Sequence, residues 1–110
     1  TYDAANPREG VAMSGGRQVI VLEDEMLVSM VVEDQLIDAK YEVAASFSRI
    51  KDTLGWLATN TPDCAVLDVN VVDGTSEPVA VHLGQRGIPF VVMSGYSPEI
   101  AGSELPGYPE

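Results

Sequence analysis

Short apolar runs alternate with longer amphipathic ones from Val19 onward, a pattern that predicts strand–helix units laid against a parallel sheet. The first strand falls at residues 19–22. Its helix follows over 25–38, where Val28, Val31, Val32 and Leu36 are spaced to make one face. A weaker second strand spans 41–46, and a second helix spans 48–59 with Ile50, Leu54 and Leu57 inward, although Gly55 weakens it. The segment 64–68, CAVLD, is apolar up to its carboxylate, as burial on both faces requires, and reads as the third strand. Asp73 and Gly74 then turn the chain. Thr75 or Ser76 caps a third helix, Pro78 lies in its first turn and Gly87 closes it. A fourth strand runs to Ser94, and Ser97 with Pro98 predicts a short fourth helix. Residues 1–17 are rich in Gly, Ser, Ala and Pro without periodicity and read as a flexible arm ahead of one domain over 18–110.

The residues that end the strands carry the candidate chemistry, because ligands of open parallel sheets bind beyond the C-terminal strand ends. Strand one runs into Glu23, Asp24 and Glu25, strand three ends in Asp68, and strand four ends in Ser94. If strands one, three and four are neighbours, carboxylates and a hydroxyl converge on one cleft. Like charges held together repel, so the acidic triplet either caps a helix or holds a cation. Asp68 at the end of a second strand favours the cation, and an all-oxygen shell with few protein ligands suits Mg²⁺. Asp24 then holds the metal and Glu23 acts through a water. Glu25 faces outward and favours the first helical turn through its dipole.

Charge and composition narrow the partners. Six Lys plus Arg against seventeen Asp plus Glu give a net charge of −11, which repels phosphate backbones and anionic lipid and argues against direct nucleic-acid or membrane binding. No apolar run is long enough to span a bilayer, and the N-terminal residues lack the apolar core of a signal peptide, so a cytoplasmic location is expected. The single Cys64 allows no disulfide framework or zinc site and reads as a small core residue. His82 has no second histidine to form a metal pair, and Tyr41, Phe47 and Trp56 read as packing residues.

The acidic pair after the first strand, the lone Asp68 ending the third, and Ser94 followed by the small Gly95 together resemble the receiver domain of two-component response regulators, the CheY-like family, over residues 19–110. The interval from Asp24 to Asp68 is similar to that of the family. The resemblance implies a flavodoxin-like, doubly wound parallel sheet in the order 2-1-3-4-5. It also implies a phosphoryl switch, in which Asp68 attacks the phosphohistidine of a sensor histidine kinase or a phosphotransfer protein. Mg²⁺ would be held by Asp24, Asp68 and the backbone carbonyl of Asn70, with Glu23 beside it. Ser94 would hydrogen-bond the phosphoryl oxygen, Gly95 would leave room for it, and Tyr96 would swing between inward and outward packing as its loop moves. Such a domain is a phosphoacceptor rather than an enzyme, its turnover limited to Mg²⁺-dependent self-phosphorylation and autodephosphorylation.

A finer resemblance lies in PFVVMSGY, residues 89–96, which is similar to the Pro-Phe-x-x-x-Thr-Gly-Tyr motif of a receiver subgroup. That subgroup is associated with alphaproteobacterial stress signalling and with kinases of the HWE type. Serine replaces threonine here, keeping the hydrogen bond and losing a methyl. The loop after Asp68 is also unusual, with Val72 and Asp73 where a longer, Pro-containing turn is common. The family's lysine-bearing fifth strand and fifth helix are not found in these residues. Lys40 and Lys51 are the only lysines, both on or near the first two helices. This favours, as an alternative, a pseudo-receiver interaction module that no longer cycles phosphate. A fourth strand left as an edge predicts either that the native protein continues with the lysine-bearing strand and fifth helix, or that this chain homodimerises through that edge. A flavin or nucleotide binder on the same fold is disfavoured, since no glycine-rich loop follows the first strand.

Overall fold

The computed structural model describes residues 17–93. In chain order these form β1 (Arg17–Leu22), α1 (Met26–Asp38), β2 (Tyr41–Phe47), α2 (Ile50–Leu57), β3 (Cys64–Asp68), β4 (Asn70–Val71), β5 (Gly74–Thr75), α3 (Glu77–Gln85) and β6 (Phe90–Met93). Strands β2, β1, β3 and β6 lie side by side in that order, all parallel, while β4 and β5 form a small antiparallel hairpin of their own. With β6 as the fourth sheet strand in chain order, this is the flavodoxin-like 2-1-3-4 arrangement. None of the helices among the described residues is long and apolar enough to cross a membrane.

Successive side chains of a strand point to opposite faces, and the core divides accordingly. Val19, Val21, Cys64 and Val66 meet Val32, Leu36 and Ala39 of the α1 side. Ile20, Leu22, Ala65 and Leu67 meet Ile50 and Leu57 of α2 and Val79 and Leu83 of α3. Central β1 and β3 are buried on both faces, which explains their unbroken apolar runs. The β1–β2 register slips by one residue between Val19↔Val43 and Ile20↔Ala45. Tyr41 and Val43 therefore serve the α1 side while Ala45 and Phe47 serve the other, so one extra residue moves the rest of the strand across the sheet.

Several expected details shift. β1 begins at Arg17, which pairs with Tyr41, so the strand takes in a residue assigned to the arm. On α1 the inward residues are Ser29, Val32 and Leu36, with Val28 packed against them, while Val31 is 43% exposed. On α2 it is Thr53 rather than Leu54 that is fully buried, its hydroxyl donating to the Arg49 carbonyl at 2.8 Å. Ser76 stands at the N-cap of α3 but makes no side-chain cap bond, and Pro78 lies in the first turn. Gly87 closes that helix at φ 72, and Lys40 takes the same left-handed conformation after α1 at φ 74, where glycine is usual. Phe47 and Trp56 pack with ring centroids 6.0 Å apart. Cys64 is fully buried, and burial pushes its thiol up to about 12. The short helix predicted at Ser97 and Pro98 lies outside the described residues.

Helix α2 is fastened at both ends by side chains from the segment that follows it. The Asp73 carboxylate accepts from the backbone N–H groups of Ile50 (2.7 Å) and Lys51 (3.1 Å) at the N-terminus. At the other end the Arg86 guanidinium donates to the carbonyls of Leu57 (2.7 Å) and Asn60 (3.2 Å) and to the Thr61 hydroxyl. An anion thus meets the positive end of the helix dipole and a cation the negative end.

Candidate functional site

Pairing of Leu22 with Leu67 is the last rung between β1 and β3, so the next residues on each strand, Glu23 and Asp68, emerge side by side at the C-terminal edge of the sheet. Glu23 stays in the ladder through its N–H, which donates to the Phe47 carbonyl at 2.9 Å. Its side chain folds back to accept from the Glu25 N–H at 2.9 Å and is only 6% exposed. Asp24 and Asp68 are half-buried, and oxygens from all three carboxylates lie within 4.8 Å of one another. Asp68 is oriented by the Val69 N–H, which donates to Oδ1 at 2.8 Å. Glu25 is exposed and precedes the first turn of α1 without a side-chain cap bond.

This cluster lines an open pocket of about 350 Å³, completed by Val28, Val69 and Asn70. Among the described residues no basic side chain lines it. The electrostatic consequence is plain in the acids themselves. Burial, opposed by the Glu25 N–H and reinforced by the charges of Asp68 and Asp24, raises Glu23 to about 7. Asp68 is also raised, first by burial and then by Asp24, with the Val69 N–H and the Glu23 carboxyl opposing. The bond between these two carboxyls favours the proton on Glu23 and the charge on Asp68. Three carboxylates gathered within 4.8 Å offer only oxygen donors, which fits a hard divalent cation such as Mg²⁺.

Of the residues singled out in the sequence, Glu23, Asp24, Asp68 and Asn70 come together at this pocket. Ser94, Gly95 and Tyr96 lie outside the described residues. Sequence reasoning missed the Val69 N–H, a backbone group with no side-chain signature. Asp73, expected only to turn the chain, lies outside the pocket lining and reaches a helix more than twenty residues earlier.

No protein-family model matches the sequence, and no curated protein does. Solved structures do match. SdrG from Sphingomonas melonis Fr1 is 35% identical over 70% of this chain and 66% of its own, with a TM-score of 0.65. The receiver (REC) domain of the response regulator PhyR from Erythrobacter litoralis is 28% identical over 74% of this chain and 64% of its own, also at 0.65. The chain has the fold of the response-regulator receiver domains. The response regulatory domain of mrkE from Klebsiella pneumoniae matches as well, 26% identical over 70% of this chain and 66% of its own, at a TM-score of 0.65. The chain spans a little under two thirds of the length of each of these neighbours. PhyR and SdrG fit the alphaproteobacterial receiver subgroup suggested by PFVVMSGY. Receiver domains bind Mg²⁺ at an acidic pocket, and this chain has an acidic cluster in Glu23, Asp24 and Asp68.

Proposed function

We propose that this receiver accepts a phosphoryl group on Asp68 from the phosphohistidine of a sensor histidine kinase, in the subgroup one of the HWE type, or from a phosphotransfer protein. The observation that carries the reading is the convergence of three carboxylates within 4.8 Å at the open end of β1 and β3, with Asp68 fixed by the Val69 N–H. An Asp68 oxygen attacks phosphorus in line with the scissile N–P bond. An O–P bond forms, the N–P bond breaks, and the imidazole leaves with its electron pair, giving an acyl phosphate. Asp24, Asp68 and the Asn70 carbonyl, with Glu23 beside them, would hold Mg²⁺, which would supply neutralising charge for the transferred group. Glu23, whose carboxylate accepts from the Glu25 N–H, would stand beside that group. By the family resemblance, Ser94 would donate to the phosphoryl oxygen, Gly95 would leave space for it, and Tyr96 would serve as the switch residue.

Acetyl phosphate or beryllofluoride with Mg²⁺ is expected to modify Asp68 alone, read by intact mass and peptide mapping. Labelling that survives Asp68→Asn, or lands on Asp73, sinks the assignment. Asp24→Ala is expected to weaken Mg²⁺ binding by about tenfold or more, because Mg²⁺ takes few protein ligands and this removes one. A second reading is favoured by the absence of a basic side chain at the pocket among the described residues: a pseudo-receiver that acts by protein contact alone. It predicts no label on Asp68 under the same conditions. Homodimerisation along the β6 edge is tested separately by light scattering, and a monomer at all concentrations rules it out.

A further inference from the structure

The loop that leaves Asp68 is closed at its base and fastened at its tip. Asn70 pairs with Thr75 and Val71 with Gly74, and the Ser76 N–H donates to the Val69 carbonyl at 2.9 Å. Val71 is buried in the α2–α3 core, and Gly74 turns the tip at φ 140, a conformation other residues rarely adopt. Asp73, at that tip, uses both carboxylate oxygens on α2, Oδ1 on the Ile50 N–H and Oδ2 on the Lys51 N–H. Helix α2 needs that carboxylate, since its own N-cap residue, Arg49, makes no side-chain cap bond. A local Ser, Thr, Asp or Asn at position 49 would serve the helix alone. Taking the cap from the loop instead joins the first turn of α2 to the strand that carries Asn70.

We propose that Asp73 is a positioning residue for the phosphoacceptor loop: by latching the β4–β5 hairpin to α2, it sets the Asn70 carbonyl and the Val69 N–H relative to Asp68. The inference rests on the reading of this pocket as an Mg²⁺-assisted phosphoacceptor site. Mg²⁺ demands near-ideal octahedral geometry, so a carbonyl displaced on a loose hairpin is a poor ligand. The Ile50 and Lys51 N–H groups hold the Asp73 carboxyl below its ordinary range, which favours the ionised form that makes the latch.

The test uses the 110-residue chain and Mg²⁺ alone, with affinity read from amide shifts at Val69 and Asn70 and stability read by urea unfolding. Asp73→Ala is expected to weaken Mg²⁺ binding about tenfold, the usual scale for losing support behind a ligand. Asp73→Asn keeps one acceptor oxygen and should fall between, which also serves if the alanine variant folds poorly. Adding Arg49→Ser to Asp73→Ala gives α2 a local cap. Stability is then expected to recover while Mg²⁺ affinity stays low. The inference is overturned if Asp73→Ala lowers stability with affinity unchanged, or if the double variant restores both. Asp24→Ala is the control for the underlying reading. Should it leave affinity unchanged, the metal site itself is wrong and the latch falls with it, whereas an effect at Asp24 and none at Asp73 removes the latch only.

Discussion

On one face of the sheet α1 covers Val19, Val21, Cys64 and Val66 and leaves Met26, Leu27, Met30, Val31 and Ile37 exposed on its outer side. On the other face α2 and α3 cover Ile20, Leu22, Ala65 and Leu67, and the pair is bound at the helix ends by Asp73 and Arg86. The α1 face is tied to the sheet at mid-helix, where Glu33 accepts from Ser46 of β2 (2.6 Å) and from Ser29 of its own helix (3.1 Å). Apolar burial sets proximity without direction, whereas charge-assisted bonds set position as well. The face built with directional bonds at its helix ends is the one that carries the loop behind Asp68.

The largest test asks whether both faces are true core. Leu36→Ala on α1 and Leu83→Ala on α3 each empty a fully buried site and are expected to cost about 2–5 kcal/mol in urea unfolding. A loss under about 1 kcal/mol for Leu36→Ala would show that α1 is only loosely applied, in contrast with the usual cost at a packed leucine. The acidic rim, shared by the two faces, should respond next. Glu23 binds its proton more tightly folded than unfolded, so its contribution is complete below its ordinary value of 4.5 and is lost as pH rises toward about 7. Asp68, also raised, adds in the same sense. Stability without divalent cations is therefore expected to fall over that window by on the order of 2–3 kcal/mol, and Glu23→Gln should flatten the slope. Asp73 acts oppositely and in a lower window, its contribution present above its ordinary value and lost on further acidification.

Smaller effects separate the faces. Arg86→Ala is expected to cost about 1–2 kcal/mol through its lost bonds to the end of α2, with faster amide exchange confined to that helix. Equal exchange in α1 would break the contrast. Leu27→Gln, at 76% exposure, should change stability by no more than about 0.5 kcal/mol.

The contrast also decides what could be read beforehand. CAVLD was legible as a strand because it is buried on both faces and ends abruptly in a charge. Helix α1 was legible as a helix but not in its rotation, since Met26, Leu27, Val28, Met30, Val31 and Ile37 place apolar residues nearly all round it. Periodicity then selected Val31, while the sheet selected Ser29, whose hydroxyl is satisfied by Glu33. The β4–β5 hairpin has strands of two residues, too short to show a period. Arg86 and Asp73 act across 22 to 29 residues on backbone groups of α2, and nothing in their local sequence names that partner. The carboxylates were legible because each ends a strand, and parallel pairing brings strand ends together.

Cys64 gives this fold a built-in clock. A thiol that is fully buried and raised to about 12 is almost never a thiolate at neutral pH and cannot be reached from solvent. Alkylation can proceed only in the fraction of time that the α1 side has opened, where the thiol recovers its ordinary acidity. The labelling rate, followed by mass over hours at fixed reagent and rising urea, thus counts openings of one face. If α1 lifts off before the clamped helices do, that rate will climb at lower urea than the loss of Trp56 fluorescence on α2.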